Sequence, residues 1–221
     1  MLTLTSDPVA LLLDRLFTDA DHTKASALAS LSDLTPSEIG RIMRSKTDYK
    51  TFYARLKDVP MPVTRETGAL LYMLARSIDA RSIVEFGTSF GLSTMHLAAA
   101  LRDNGGGRLV TSEFEPSKVS RAAANLADAG LADLVDLREG DALQTLARNL
   151  PDRIDLLFLD GAKALYVDIL DLVEPQLRLG AAIVADNASF YPPYLDRVRD
   201  TGNGYMSMPF GTDVELSIRV H

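Results

Sequence analysis

The chain has 221 residues, a formal net charge of -7 at pH 7 and no cysteine. The negative charge argues against nucleic acid as the main partner, because phosphate binding needs a basic surface. The absence of cysteine excludes disulfides, thiolate catalysis and cysteine metal ligands. The sequence has no signal-peptide pattern and no apolar run of about 20 residues, the length of a membrane span. We therefore expect a soluble, cytoplasmic protein without a membrane partner.

Residues 1–58 have a helical pattern and are predicted to form an extension of a main domain at 59–221. An amphipathic helix follows Pro8, with one apolar face running from Val9 to Phe17. A second helix is predicted to begin at Thr35, because Thr-Pro-Ser-Glu is typical of a helix start. These apolar faces pack on the main domain or on a second copy, giving a homodimer, or they form a lid over a substrate. The pattern favours packing or dimerisation.

The main domain alternates strands and helices after an extended, proline-containing linker at 59–63. The first strand is predicted around Ile83 and Val84. Further strands are predicted at 108–113, 134–138, 154–159 and 180–185, with helices at 65–78, 116–129, 142–149, 165–177 and 194–201. Segments 205–208 and 214–220 are predicted to pair as an antiparallel hairpin. This layout predicts an α/β fold with a doubly wound, Rossmann-like sheet that is mostly parallel.

A glycine-containing turn joins the first strand to the next helix, with Gly87 and Gly91 four residues apart. Glycine lets the backbone approach a ligand closely, and a helix N-terminus presents free N–H groups. Ser89 replaces the second glycine of the dinucleotide pattern G-x-G-x-x-G, which argues against nicotinamide or flavin. The carboxylate of Glu85, directly before the turn, suits a cationic group such as an amino-acid ammonium. The alternative is an ordinary turn with an exposed acid.

A second acid, Glu113, ends the second predicted strand. Nucleotide-binding α/β proteins place an acid there to bind ribose hydroxyls. Together with Glu85 and the glycine turn, Glu113 indicates a pocket for an adenosine that carries an amino acid, which is S-adenosylmethionine. Glu115, in the following loop, is an alternative for the same role.

Oxygen-bearing side chains also end the fourth and fifth strands. Asp160 ends the fourth strand, and Asp186 and Asn187 end the fifth. Neighbouring parallel strands end at one edge of the sheet, so these oxygens could bind a hard cation such as Mg²⁺. Single residues of these types also cap turns. Lys163 is either a solvated charge or a general base. A nearby cation would lower its pKa from the ordinary value of about 10.4.

Four motifs in order resemble the cation-dependent O-methyltransferases, a group that includes the catechol and caffeoyl-coenzyme A enzymes. They are Glu85-Phe-Gly-Thr-Ser-Phe-Gly-Leu-Ser, Thr111-Ser-Glu, Phe158-Leu-Asp-Gly-Ala-Lys and Ala185-Asp-Asn. The resemblance covers about residues 58–220. It implies a class I S-adenosylmethionine fold and Mg²⁺-dependent methyl transfer to a small catechol-like or vicinal-diol acceptor. The alternatives are a non-catalytic S-adenosylmethionine-binding protein and a methyltransferase with a non-diol acceptor.

The resemblance also implies roles for individual residues. The methionine part of S-adenosylmethionine would contact Val63, Glu85, Gly87, Thr88 and Ser93. Glu113 would bind the ribose, and Asp141 with Ala142 would flank the adenine. Asp160, Asp186 and Asn187 would bind Mg²⁺, with Asp160 also contacting the cofactor. Lys163 would be the catalytic base beside Asp160, and Met61 would lie near the methyl-transfer site.

Two departures from that pattern concern the walls of the site. Gly161 and Ala162 replace the bulkier residues that the catechol enzyme has between its aspartate and lysine. The chain has no tryptophan, so its acceptor would meet different aromatic groups. Phe190, Tyr191 and Tyr194 are possible substitutes or ordinary packing residues. His96 has apolar neighbours in a predicted helix, and we expect it in the core.

Overall fold

The computed structural model of the protein describes residues 2–221, except for the side chains of residues 24–28. Within that range a single seven-stranded sheet forms the centre of the chain. Its strands are β1 (Ser82–Phe86), β2 (Arg108–Glu113), β3 (Val135–Glu139), β4 (Ile154–Leu159), β5 (Leu177–Asp186), β6 (Tyr205–Phe210) and β7 (Val214–Arg219). The strand order is β3-β2-β1-β4-β5-β7-β6.

Strands β1 to β5 are parallel, and β7 pairs antiparallel with both β5 and β6. The predicted doubly wound sheet with a C-terminal hairpin is therefore confirmed. Because the chain order reverses between β1 and β4, a crevice opens at the carboxyl ends of these two strands. Ligands of doubly wound sheets bind at such a reversal point.

Helices cover both faces of the sheet. They are α1 (Val9–Ser30), α2 (Pro36–Met43), α3 (Tyr49–Ala54), α4 (Arg65–Ser77), α5 (Leu92–Asp103), α6 (Pro116–Asp128), α7 (Ala142–Thr145), α8 (Tyr166–Val173) and α9 (Pro192–Arg199). Neighbouring strand residues face opposite sides: Ile83 packs with α1, α4 and α5, whereas Val84 packs with α8 and α9. Because both faces of the sheet are covered, the central strand β4 is buried along its whole length and is almost entirely apolar.

Two helices end earlier than predicted. The guanidinium of Arg138 donates to the carbonyl oxygens of Thr145, Arg148 and Asn149, which satisfies the end of α7 without further helical turns. The helix predicted to reach residue 177 ends at Val173, because Pro175 lacks the N–H group that a continued helix needs. Strand β5 consequently starts three residues before the predicted 180.

The N-terminal helices pack within the chain. The apolar face of α1 is buried against the main sheet layer, whereas α2 and α3 form a smaller apolar cluster around Phe52 and Leu56. The predicted start of α2 is confirmed: the Thr35 hydroxyl accepts from the Glu38 N–H, and the Glu38 carboxylate accepts from the Thr35 N–H. His96 is buried in α5, as expected. No helix in the described part of the chain is long and apolar enough to cross a membrane.

Candidate active site

A cavity of about 340 Å³ opens at the carboxyl ends of β1, β2, β4 and β5. The glycine turn after β1 forms its floor. Gly87 has a φ of +101°, and a Cβ there would lie 2.7 Å from the carbonyl carbon of Asp160. A side chain at position 87 would therefore push β1 and β4 apart. This contact explains why the turn needs glycine between the two strand ends.

Glu85 lies beneath the turn and is not among the residues that line the cavity. Its carboxylate accepts hydrogen bonds from the hydroxyls of Ser93 (2.6 Å), Thr94 (2.6 Å) and Thr111 (2.7 Å). Burial raises the pKa of Glu85 to about 7, although the three hydroxyls oppose this effect. Ser93 therefore lines the cavity, whereas Glu85 lies behind it and contacts the Ser93 hydroxyl.

The end of β2 presents Glu113 to the cavity. One carboxylate oxygen accepts from the Ser89 N–H at 2.9 Å, and the other accepts from the Glu115 N–H at 3.0 Å. Glu115 itself caps α6 by accepting from the N–H and hydroxyl of Ser117. The two acids are thus separated by role: Glu113 is fixed at the strand end, whereas the Glu115 carboxylate is engaged by the following helix.

Most of the other residues predicted to contact the cofactor also line the cavity. They are Val63, Gly87, Thr88, Ser93, Asp141, Ala142 and Asp160. Asp141 caps α7 by accepting from the Leu143 N–H, and its second oxygen accepts from the ammonium of Lys50 at 2.7 Å. Lys50 belongs to α3, so the N-terminal region is tied directly to the rim of the cavity.

The acidic strand ends of β4 and β5 meet in the cavity. Asp160, Asp186 and Asn187 all line the cavity, and the carboxyl groups of Asp160 and Asp186 are close enough for each to affect the pKa of the other. Burial, together with the nearby charge of Asp160, raises the pKa of Asp186 to about 7. Two buried carboxylates this close need a shared proton or a cation. The described residues contain no cluster of three His, Asp or Glu side chains that could hold a metal; the predicted set has two carboxylates and one carboxamide.

Lys163 lies beside this pair and is almost fully buried. Its ammonium donates to Asp160 Oδ1 and to the Tyr166 hydroxyl, each at 2.8 Å. The Tyr166 hydroxyl lies 2.9 Å from the Leu159 carbonyl oxygen and 2.7 Å from that of Asp186. Burial, the largest single effect, would lower the pKa of Lys163, but the charge of Asp160 acts together with Tyr166, Tyr53 and Asp186 and raises the pKa well above its ordinary value. Tyr166 thus connects the lysine to both strand ends.

Aromatic side chains reach the cavity from other elements than the predicted ones. Tyr49 and Tyr53 of α3 line it, whereas Phe190, Tyr191 and Tyr194 do not. Tyr194 is fully buried and packs edge-on against Tyr166, with ring centroids 5.5 Å apart. None of the three lines the cavity, and the alternative of an ordinary packing residue accounts for Tyr194.

The small residue at 161 has a steric reason. A Cβ at Gly161 would lie 2.4 Å from the ring of Phe86. Phe86 itself lines the cavity, and so does Ala162. The aromatic ring of Phe86 therefore occupies the space next to residue 161.

The cavity and near-cavity residues that were not predicted include Tyr49, Tyr53, Lys118 and Tyr166. Tyr49 and Tyr53 are one helical turn apart, a spacing that places both on one face of a helix. Tyr166 follows Lys163 by three residues, which is also a shared-face spacing in a helical turn. These spacings are visible in the sequence, but the cavity that they face is formed only by the tertiary fold.

This arrangement of sheet, glycine turn and strand-end acids defines a class I methyltransferase fold. Residues 84–188 match the family model described as a methyltransferase domain. A catechol O-methyltransferase of Mycobacterium tuberculosis is 38% identical over 125 residues, which are 57% of this chain and 56% of that protein. A catechol O-methyltransferase of Niastella koreensis is 35% identical over 138 residues, 60% of this chain and 62% of that protein.

Among solved structures, the O-methyltransferase TomG of Streptomyces achromogenes, in complex with SAM, superposes with a TM-score of 0.65. It is 28% identical, and the match covers 83% of this chain and 94% of TomG. Residues 84–188 therefore match a methyltransferase domain, and the chain is similar to catechol O-methyltransferases and to a SAM-bound O-methyltransferase structure, as the four sequence motifs indicated. It spans 56% and 62% of the length of the two curated relatives.

Proposed function

We propose that this protein transfers the methyl group of S-adenosylmethionine to a hydroxyl of a small catechol-like or vicinal-diol acceptor, using Mg²⁺ or another divalent cation. The proposal depends on one observation about the cavity. The glycine turn and Glu113 open into the same cavity as the Asp160–Asp186 carboxyl pair and Lys163. A site for the methyl donor and a site for acid–base chemistry therefore share one space.

The donor would lie along the carboxyl ends of β1, β2 and β4. Its methionine part contacts Val63 and the turn residues Gly87, Thr88 and Ser93, and the buried charge of Glu85 reaches the ammonium through the Ser93 hydroxyl. Glu113 accepts from the ribose hydroxyls. The adenine lies at the start of α7, beside Asp141 and Ala142. This orientation directs the methyl group towards Asp160, which lines the same cavity.

The residues at the ends of β4 and β5 fit a divalent cation. Asp160 and Asp186 lie close together in a buried place, where two negative charges repel. Replacing their proton with a cation would relieve this repulsion, and Asn187 adds a neutral oxygen of the kind that Mg²⁺ accepts. When bound there, such a cation supplies Lewis acidity that lowers the pKa of an acceptor hydroxyl and offsets the negative charge beside Lys163.

The chain's own residues then move one proton and hold the reactants in line. Lys163 would first release one ammonium proton to solvent as its pairing with Asp160 weakens. The neutral amine would then accept the hydroxyl proton, and Tyr166 would keep it directed at the strand ends. The acceptor oxygen forms a bond to the methyl carbon while the carbon–sulfur bond breaks. The sulfur leaves as a neutral thioether, so no acid is needed on that side. The rate gain comes mainly from positioning and electrostatics.

The acceptor would bind between the N-terminal helices and the strand ends. Met43, Tyr53 and Met61 line this part of the cavity with apolar and aromatic surface. Such walls suit a flat phenolic ring, because aromatic pairs and sulfur–aromatic contacts are favourable. The N-terminal region would therefore contribute to the acceptor site as well as to packing.

A panel of acceptors tests this function. Purified protein is incubated with S-adenosylmethionine and with a catechol, the matching monophenol and an aliphatic vicinal diol, and methylated products are measured by mass spectrometry. We expect product from the catechol and at least tenfold less from the monophenol. Calorimetric binding of S-adenosylmethionine without any product would instead support a binding protein. Product from the monophenol alone would support a non-diol acceptor.

The proposal includes a cytoplasmic homodimer. The apolar face of α1 is already buried within one chain, so a dimer would need other surfaces, such as the exposed Leu11 side of that helix. Light scattering measures the mass directly. A value near 24.1 kDa would refute the dimer without affecting the proposed reaction.

A further inference from the structure

Helix α6 has a lysine in its buried stripe. Lys118, Ala122 and Leu126 are the buried residues of this helix, and their spacing of four places them on one face. Only 4% of Lys118 is exposed. A charged residue in an otherwise apolar stripe is costly unless something compensates for its charge.

Lys118 has no hydrogen bond or ion pair to the part of the chain that the structure describes, and its side chain lines the active-site cavity. An ammonium has three N–H donors. The other buried lysine of the cavity, Lys163, uses its donors on Asp160 and Tyr166. Burial lowers the pKa of Lys118, and the charges of Glu113, Glu115 and Asp160 act against this effect.

Charge balance with Glu113 does not account for the position of Lys118. Among the charges that act on Lys118, that of Glu113 has the largest effect. The two groups nevertheless form no ion pair, and the Glu113 oxygens accept from the backbone N–H groups of Ser89 and Glu115 instead. A carboxylate and an ammonium therefore face the same cavity without contact. A ligand group that both donates and accepts hydrogen bonds would satisfy both.

We propose that Lys118 binds the ribose of the methyl donor. Its ammonium donates hydrogen bonds to the oxygens of the ribose hydroxyls, and the same hydroxyls donate to the Glu113 carboxylate. The proposal rests on the proposed function, which assigns the ribose to Glu113. A sugar diol matches the pair because each hydroxyl is both donor and acceptor. Glu113 and Lys118 then recognise the diol from two sides, and the ammonium gains partners that the protein does not provide.

The test measures ligand affinity by calorimetry for the wild type and for Lys118→Met, a variant of similar length without charge. S-Adenosylhomocysteine carries the ribose and the amino acid, whereas 5′-methylthioadenosine carries only the ribose and adenine. We expect both ligands to bind at least about tenfold more weakly to Lys118→Met, since a hydrogen bond to a charged group contributes roughly 1.5–3 kcal/mol. Lys57→Met, at an exposed lysine, serves as the control and should bind both ligands as the wild type does.

A third ligand separates contact from a general loss of fit. This ligand is the 2′,3′-dideoxy analogue of 5′-methylthioadenosine, which lacks both ribose hydroxyls. Its Kd should differ less than twofold between the wild type and Lys118→Met. Lys118→Gln provides a second variant if the methionine variant does not fold, which thermal melting reports.

Three results would overturn the proposal. Weaker binding of S-adenosylhomocysteine with unchanged 5′-methylthioadenosine would assign Lys118 to the amino-acid carboxylate. Unchanged binding of both ligands would remove Lys118 from the site while leaving the proposed function intact. If the wild type binds neither ligand, the proposed function fails together with this inference.

Discussion

The buried carboxylate of Glu85 makes the stability of the fold depend on pH in a way that can be measured. Its side chain is completely buried and is held by the hydroxyls of Ser93, Thr94 and Thr111. Burial raises its pKa from 4.5 to about 7. In the folded chain the carboxyl therefore keeps its proton at a pH where the unfolded chain has already lost it.

The sign and size of the effect follow from this difference. Below pH 4.5 both states are protonated, and Glu85 does not alter the free energy of unfolding. Between 4.5 and about 7 the folded state holds one more proton, so stability falls by about 1.4 kcal/mol per pH unit. The total loss at neutral pH is roughly 3 kcal/mol. A glutamine at position 85 cannot ionise, so Glu85→Gln should lack this loss.

Urea unfolding of wild type and Glu85→Gln at pH 4.5, 5.5, 6.5 and 7.5 measures the effect. The difference in unfolding free energy between variant and wild type should increase by roughly 3 kcal/mol in favour of the variant across this range. Taking the difference cancels other titrating groups, such as Asp186. Glu139→Gln, at an exposed position, is the matched control. A difference for Glu85→Gln that does not change with pH would refute the reasoning.

Three further variants probe the cavity. Lys163→Met should lower kcat about 10²- to 10⁴-fold, as expected for loss of a general base. The Kd for S-adenosylhomocysteine should stay within about twofold of the wild type. An unchanged kcat in a steady-state assay would exclude that role. Gly87→Ala should lower Tm more than Gly130→Ala, because both have positive φ but only the first Cβ meets backbone; equal melting temperatures would argue against the contact. Tyr166→Phe should lower kcat about tenfold or more. The control Tyr72→Phe loses a hydrogen bond to Asp103 away from the cavity and should change only the melting temperature. Similar kcat values for the two variants would contradict the role of Tyr166.

The sheet and its strand-end acids could be predicted because local signals and topology agree. Continuous apolar runs, glycine turns and helix caps identify each element, and parallel strands place their carboxyl ends at one edge. That edge brings Glu113, Asp160 and Asp186 into one cavity. The end of α7 could not be predicted as well, because it depends on the contacts of the Arg138 side chain. The end of α8 was predictable from Pro175, which hydrophobic periodicity alone does not take into account.

The cavity walls were harder to predict, since they depend on long-range contacts. The N-terminal region is held on the main domain by the ion pairs Lys50–Asp141, at the cavity, and Lys46–Asp168, outside it, between segments far apart in sequence. Tyr49 and Tyr53 belong to α3 and line the cavity, whereas of the three aromatic residues just after β5 only Tyr194 is fully buried and Phe190 is exposed. Lys118 was detectable in principle, as a charge within the apolar stripe of α6.

Restoration of turnover by a metal tests the central claim most directly. Protein treated with a chelator and desalted is assayed with S-adenosylmethionine and a catechol while Mg²⁺ is added, and the same titration is made with Asp186→Ala and with Asp152→Asn, an exposed control. The proposed chemistry predicts that activity is lost on chelation, returns with Mg²⁺ in the wild type and in Asp152→Asn, and does not return in Asp186→Ala. Full turnover in the presence of chelator, or full recovery in Asp186→Ala, would contradict a metal-dependent reaction at the ends of β4 and β5.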